Sequence, residues 1–329
     1  MTDPSAIFNG NSRQRRYHSR TSASTVLNGI DLTGKTALIT GTNSGIGVET
    51  ARWIAMSGAH VVMANRNIVA SEELKRDILN NKPDAKIDII VLDLSSLQSV
   101  KAAANEYLSK GWPLHLLILN AGVFGPSQKT TLDNYESSFG VNHLGHFYLT
   151  QLLLPKLRES RPSRIVVVAS HSHRDTGIDP SLPTEEKLKR LMPAADTTEI
   201  GYRLYAYSKL CNVLFAFALH RKEHSNGINV YVLHPGTMIG TGIARNYGVL
   251  GKVFNVVTKP FTKTLQQGAA TTVYCAADPE LDNNSGRYFE SCWDDEKHLQ
   301  MALARDEALQ DALWRASEEL LQKYESGRR

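Results

Sequence analysis

The chain predicts a single doubly wound α/β fold, a parallel sheet with helices on both faces. Three features carry that prediction: short runs of almost unbroken apolar residues, helical patterns between them, and a glycine-rich turn after the first run. The runs at 36–40, 60–64, 87–92, 114–119, 164–169 and 228–234 read as strands. Near-continuous apolarity is what strands covered on both faces require, since an edge or one-sided strand would alternate. Helical patterns fill 45–57, 69–80, 96–110, 132–157 and 205–224, and strand, helix, strand repeated this often implies right-handed crossovers. The segment 296–324 places Leu299, Leu309, Leu313, Leu320 and Leu321 on helical spacing and is expected to form a helical tail. The division drawn is a flexible basic head at 1–33 and one domain over 34–329.

Composition removes several classes. With 329 residues, 42% hydrophobic and 21% charged, the chain is neither collagen-like nor a coiled coil nor wholly disordered. No apolar run nears the roughly 18 residues of a membrane span. Cys211, Cys275 and Cys292 are too few and too scattered for a disulfide framework or zinc site, which favours a reducing, cytoplasmic setting. Lysine and arginine exceed the acids by 37 to 33, a net charge of +4 that gives no ground for a nucleic-acid partner. Arg13, Arg15, Arg16 and Arg20 stand in an acid-poor, Ser/Thr-rich head. It is read as a solvated arm, with a mitochondrial transit segment left open.

The first strand runs into Thr40, Gly41, Thr42, Asn43, Ser44, Gly45, Ile46 and Gly47, and a helix follows. Glycines at 41, 45 and 47 allow a tight turn in which main-chain N–H groups and the helix N-terminus face a pyrophosphate. The second strand ends in Asn65-Arg66, where an NAD site usually carries an acid for the ribose hydroxyls. A guanidinium there suits a 2′-phosphate, so NADP(H) is favoured over NAD(H). Asp93, closing the third strand, sits where the adenine would lie or serves as a cap for the next helix.

Tyr205 and Lys209 stand four apart on a predicted helix and share a face, so the ammonium is expected to lower the phenol pKa. Ser170 falls at the carboxyl end of the fifth strand, where open α/β sheets bind ligands. Asn142 puts an amide into an otherwise apolar helical pattern.

Taken together these residues resemble the short-chain dehydrogenase/reductase family, whose marks are TGxxxGxG, NAG, a catalytic Asn, a Ser and YxxxK. Here they stand as residues 40–47, Asn120-Ala121-Gly122, Asn142, Ser170, and Tyr205 with Lys209, in the family's order, and Pro235-Gly236 matches its turn beside the nicotinamide. The resemblance runs from about residue 33 to 324 and implies a Rossmann-type fold. The stretches VNHLGHFYL, SKLCN and PFTKTLQQGAATTVYCA are similar to the retinol-dehydrogenase-like branch. A member of that branch carries paired-tryptophan modules ahead of its reductase. Trp53, Trp112, Trp293 and Trp314 all lie within or after the nucleotide fold, so that module's binding function is not carried over.

The resemblance implies that Tyr205 gives and takes the proton, Lys209 lowers its pKa and holds the nicotinamide ribose, Ser170 orients the reacting oxygen, and Asn142 anchors a water. It implies a cofactor lined by Gly41, Asn43, Ser44, Gly45, Ile46, Gly47, Arg66, Asp93, Leu94, Asn120, Ala121, Gly122, Pro235 and Gly236. Ala169 departs from the usual Ser-Ser pair, but Ser170 holds the catalytic place. The activity expected is hydride transfer between NADP(H) and an apolar alcohol or carbonyl of retinoid, steroid or lipid type. A cofactor-binding scaffold with little turnover is the alternative.

Leu250, Phe254, Val257 and Phe261 form an apolar helical stripe in 237–264, read as a substrate lid, and Lys252, Lys259 and Lys263 beside it leave membrane-surface contact open. Residues 171–201 are expected to form the other wall. A homo-oligomer is also left open. His143, His146, His171 and His173 have no acid or thiol at ligand spacing, so no metal is expected. Cys211 is read as a buried core thiol.

Overall fold

Every described strand runs the same way. The computed structural model describes residues 15–236 and 263–327. Its sheet comprises β1 (Thr36–Thr40), β2 (His60–Asn65), β3 (Ile87–Val91), β4 (Leu116–Leu119), β5 (Ser163–Val168), β6 (Ile228–His234) and β7 (Arg287–Glu290), in the order β3-β2-β1-β4-β5-β6-β7. All pairings are parallel. The order reverses between β1 and β4, and the carboxyl ends of those two strands therefore open the crevice in which such sheets bind ligands.

Successive residues of each strand feed two separate cores. Leu38, Val62, Leu117, Val167 and Val232 face one side with α3 (Leu97–Ser109), α4 (Gly145–Glu159), α5 (Thr184–Leu191), α6 (Gly201–Glu223) and α8 (Glu307–Glu325). Ile39, Met63, Ile118, Val168 and Leu233 face the other with α1 (Ile46–Met56), α2 (Ile68–Asn81) and α7 (Leu265–Ala277). Both faces are thus dry, which accounts for the unbroken apolar strands. The three cysteines are free thiols buried in these cores. Among the described residues no helix is long and apolar enough to cross a membrane.

Four expectations need correction. β7 was not anticipated, because RYFE is four residues long and only its two central residues are buried. The helix expected over 132–157 is broken. A short helix, Ser137–Phe139, leads into a π-helical turn, Gly140–Leu144, before α4 starts. The tail likewise begins as an irregular segment, with Glu296 at φ 53, and becomes one long helix only at Glu307. The head drawn at 1–33 is not a flexible arm over its described part, from residue 15. Tyr17, Ala23, Val26 and Leu27 are buried with the α1 and α7 residues, and Arg16 pairs with Asp278 at 2.7 Å and Glu280 at 3.0 Å. Apolar residues set among basic and hydroxyl ones do not show as a core stripe in the sequence, yet they fill the groove over α7. Residues 237–262, which hold most of the expected lid and its apolar stripe, lie outside the described residues.

Candidate active site

The glycine turn is built by exclusion of side chains. Gly41 has φ 71, and a Cβ there would lie 2.8 Å from the Ala121 Cα. At Gly47 the backbone is ordinary but space is not: a Cβ would stand 2.1 Å from the Gly41 carbonyl oxygen and 2.6 Å from Asn120 Nδ2. Gly45 precedes α1 with φ 62, so the first helical N–H groups face the turn with no side-chain cap over them. Asn43 and Ser44 lie within the turn, and Ile46 is the first residue of α1.

Neighbouring strands hold this turn in place. Asn120 donates from Nδ2 to the carbonyls of Thr40 (2.9 Å) and Gly41 (3.1 Å), while its buried Oδ1 has no protein partner among the described residues. Asn65 accepts the Thr42 N–H at 2.7 Å and donates to Thr42 Oγ1 and Ser71 Oγ at 2.7 and 2.8 Å. Sequence reasoning noted Asn65 only for not being acidic. Its position at the last buried place of β2, opposite the turn, was the signal available. A side-chain-free cradle, an open helix N-terminus and an orphaned buried acceptor fit a dinucleotide.

Arg66 is largely exposed, with Nη1 3.9 Å from Asp93 Oδ2, so both stand at the carboxyl ends of β2 and β3. Asp93 caps no helix: its Oδ1 accepts from Ser95 N and Oγ (2.9 and 2.7 Å), and Ser96 is the N-cap of α3. Leu94 is buried, and its carbonyl oxygen would be 2.7 Å from a Cβ on Gly145. Gly122 is less tightly confined, with Lys209 Nζ and Asn142 Oδ1 3.3 and 3.4 Å from where its Cβ would be. Pro235 and Gly236 (φ 116) follow β6 directly.

Asn142, Ser170, Tyr205 and Lys209 converge here from three elements, with Tyr205 and Lys209 both on α6. Fully buried in the π turn, Asn142 clamps the main chain of Val123, accepting its N–H at 2.7 Å and donating to its carbonyl at 3.0 Å. It also donates to Ser208 Oγ at 2.9 Å, and that hydroxyl donates to the Tyr205 carbonyl at 2.8 Å. The amide therefore ties the segment after Gly122 to α6. Insertion of π turns at functional sites is a common way to re-aim one side chain.

Lys209 is buried and donates to the Val168 carbonyl at 3.0 Å, with Nζ 5.6 Å from the Tyr205 ring centroid. Burial pulls its pKa down to about 8. Tyr205 packs edge-on against Phe124, centroids 5.0 Å apart. Its phenol is pushed above the ordinary value by burial, and a hydrogen bond with Ser170 opposes this only in part. The expected lowering of the phenol by Lys209 is not what this arrangement gives. The ammonium is turned toward the Val168 carbonyl, and desolvation of a phenolate outweighs the rest. Ser170, in extended conformation, heads the short turn His171–Arg174.

Two of the histidines weighed in the sequence have protein partners: His143 Nε2 meets Ser317 Oγ at 3.0 Å, and His173 spans the Ser170 carbonyl (2.7 Å) and Gln300 N–H (3.1 Å). Residues 195, 197–199 and 201 of the expected second wall line a cavity of about 180 Å³ with Leu204, the residue before Tyr205 on α6. A larger concavity of about 300 Å³, lined by Lys35, Thr36, His60 and Lys86, opens at the amino ends of β1 and β2. Size notwithstanding, it lies at the wrong end of the sheet for this chemistry.

A glycine-cradled nucleotide crevice facing a Ser, Tyr, Lys and Asn set on a parallel sheet defines an oxidoreductase of the short-chain dehydrogenase type. Residues 35–179 match the family model described as short chain dehydrogenase. The chain is 44% identical over 317 residues to the WW domain-containing oxidoreductase of Gallus gallus, covering 96% of this chain and 75% of that protein. It is 36% identical over 292 residues to retinol dehydrogenase 12 of Mus musculus, covering 89% and 88%. A crystal structure of an uncharacterised protein from Mycobacterium paratuberculosis superposes with TM-score 0.65 at 28% identity, over 89% of this chain and 95% of that one. The protein belongs to the short-chain dehydrogenase/reductase family, and it is an NAD(P)-dependent oxidoreductase by that membership.

Proposed function

We propose that the protein uses NADP(H) to interconvert an apolar alcohol and its carbonyl compound, with Asn142, Ser170, Tyr205 and Lys209 as its catalytic set. The observation that carries the reading is the meeting of Tyr205, Ser170 and Lys209 at the end of a crevice whose β2 terminus bears Arg66 in place of an acid. The name of the retinol dehydrogenase relative supports an apolar alcohol as the substrate class. When bound, the nicotinamide supplies or accepts the hydride.

The chain's own groups manage position and the proton. Ser170 Oγ holds the substrate oxygen beside the phenol. In the reducing direction Tyr205 donates its proton as negative charge builds on that oxygen, and the raised phenol pKa keeps the proton in place until then. The Lys209 ammonium stabilises the phenolate left behind.

This assignment fixes a pH dependence. Lys209 has its pKa lowered to about 8, so it is charged below that pH and loses its proton above it, while Tyr205 stays protonated. Carbonyl reduction should hold steady from about pH 6 to 8 and then fall by about tenfold per unit as a single group titrates. A rate that instead rises through pH 9 would remove Lys209 from the role.

Cofactor choice is tested by Arg66→Glu. Loss of a charge-assisted hydrogen bond costs about 1.5–3 kcal/mol, so NADPH affinity should drop about ten- to a hundredfold. NADH affinity should change less than about threefold, since it has no 2′-phosphate to repel. An unchanged ratio of the two affinities would refute the NADP(H) preference.

A further inference from the structure

His146 lies on α4, four residues beyond Asn142, and is 2% exposed. Its Nδ1 is 3.1 Å from the Asn142 carbonyl oxygen and its Nε2 is 2.9 Å from Thr40 Oγ1. A carbonyl only accepts, so Nδ1 carries the proton. In a neutral ring Nε2 then accepts, and the Thr40 hydroxyl must donate to it. That leaves both lone pairs of Oγ1 for the main-chain N–H groups of Asn120 and Ala121, each 3.0 Å away. Four hydrogen bonds thus admit one proton arrangement. A protonated ring would aim Nε2–H at an oxygen whose lone pairs are taken. Burial, which draws the His146 pKa down to about 4, keeps the ring neutral.

The bonded chain begins at the main chain of the Asn120-Ala121 turn, against the glycine cradle, and ends on the main chain of Asn142. Its last bond falls beside the π turn, where Gly145 N–H reaches back five residues to Gly140 and the regular helical ladder is interrupted. We propose that His146 is a positioning residue that couples the nucleotide crevice to Asn142 through Thr40, so that loosening either end loosens the other. This rests on the reading that a nicotinamide dinucleotide occupies the crevice.

The test is a double-mutant cycle on the full chain, with NADPH affinity measured by fluorescence titration. His146→Phe keeps a planar ring, slightly larger, and removes both ring bonds, whereas Thr40→Val is nearly isosteric and removes the hydroxyl. Each should weaken NADPH binding by about three- to tenfold, the worth of one neutral hydrogen bond. The double variant should be no weaker than the weaker single one, because both break one chain. Thr40→Ser, which keeps the hydroxyl, should bind within about twofold of the unaltered protein. Fold-changes that multiply in the double variant, or a His146→Phe protein that binds as tightly as the original, would overturn the coupling.

Hydrogen exchange of the ligand-free chain gives a readout independent of nucleotide. The Asn120 and Ala121 amides should exchange at least about threefold faster in His146→Phe, and unchanged protection would also overturn the proposal. An unaltered protein that binds no dinucleotide contradicts the nucleotide reading alone, and the exchange rates still decide the coupling. Should His146→Phe fail to fold, His146→Leu, which also removes both ring bonds, takes its place in both measurements.

Discussion

Replacing Tyr205 by phenylalanine is expected to cut turnover about a thousandfold, within the range general acid catalysis contributes. The change removes one oxygen and little else. The ring still packs edge-on against Phe124, and Lys209 keeps its bond to the Val168 carbonyl. Because the hydroxyl is the only group lost, NADPH affinity should stay within about twofold and thermal stability should not fall. Burying a phenol whose oxygen is held by Ser170 already costs desolvation, so loss of the hydroxyl is expected to be neutral or slightly stabilising. A variant that keeps a tenth of the original rate would take the proton-donor role away from Tyr205.

Gly47→Ala should have the second largest effect, and for a reason of space rather than conformation. The new methyl would stand 2.1 Å from the Gly41 carbonyl oxygen, an atom of the opposing backbone that cannot rotate away. To admit it, α1 must retreat from the turn, opening the cradle and straining the Asn120 bonds to Thr40 and Gly41. Overpacking of this kind costs about 1–3 kcal/mol of stability. Since the N–H groups of α1 leave their place, NADPH affinity should fall at least about a hundredfold. Gly201→Ala is the matched control. Among the described residues outside its own helical turn, the nearest atom to its Cβ would be the Gly125 Cα at 3.9 Å, and it stands at the first residue of α6, so stability should hold or rise slightly. Urea unfolding together with nucleotide titration separates the two variants. Equal behaviour would mean that the turn tolerates a side chain.

Much of the fold was legible because both sheet faces are buried. Unbroken apolar runs such as residues 36–40 and 228–234 have one structural explanation, and their bounds coincide with β1 and β6. β7 escaped notice because a four-residue edge strand carries too few apolar positions to stand out. The packing of residues 15–33 was hidden differently. Tyr17, Val26 and Leu27 find their partners on α7, some 250 residues away, and no local pattern announces that meeting.

At the site, residue types and their order were readable while their bonding was not. The YxxxK spacing places Tyr205 and Lys209 on one helix face, but only the fold turns the ammonium to the Val168 carbonyl and leaves the phenol's pKa raised. In the sequence His146 shows only as one of four histidines without an acid or thiol at ligand spacing. Its bond to Asn142 is local, but its bond to Thr40 needs β1, which the fold brings to it from 106 residues away.

The most direct test of the account follows NADPH consumption at saturating cofactor against retinoid, steroid and aliphatic aldehydes and ketones, with Tyr205→Phe assayed alongside. The account predicts turnover with one hydrophobic class, lost in the variant while NADPH still binds. Tight NADPH binding with no turnover across the panel would contradict it and leave the protein a nucleotide-binding scaffold.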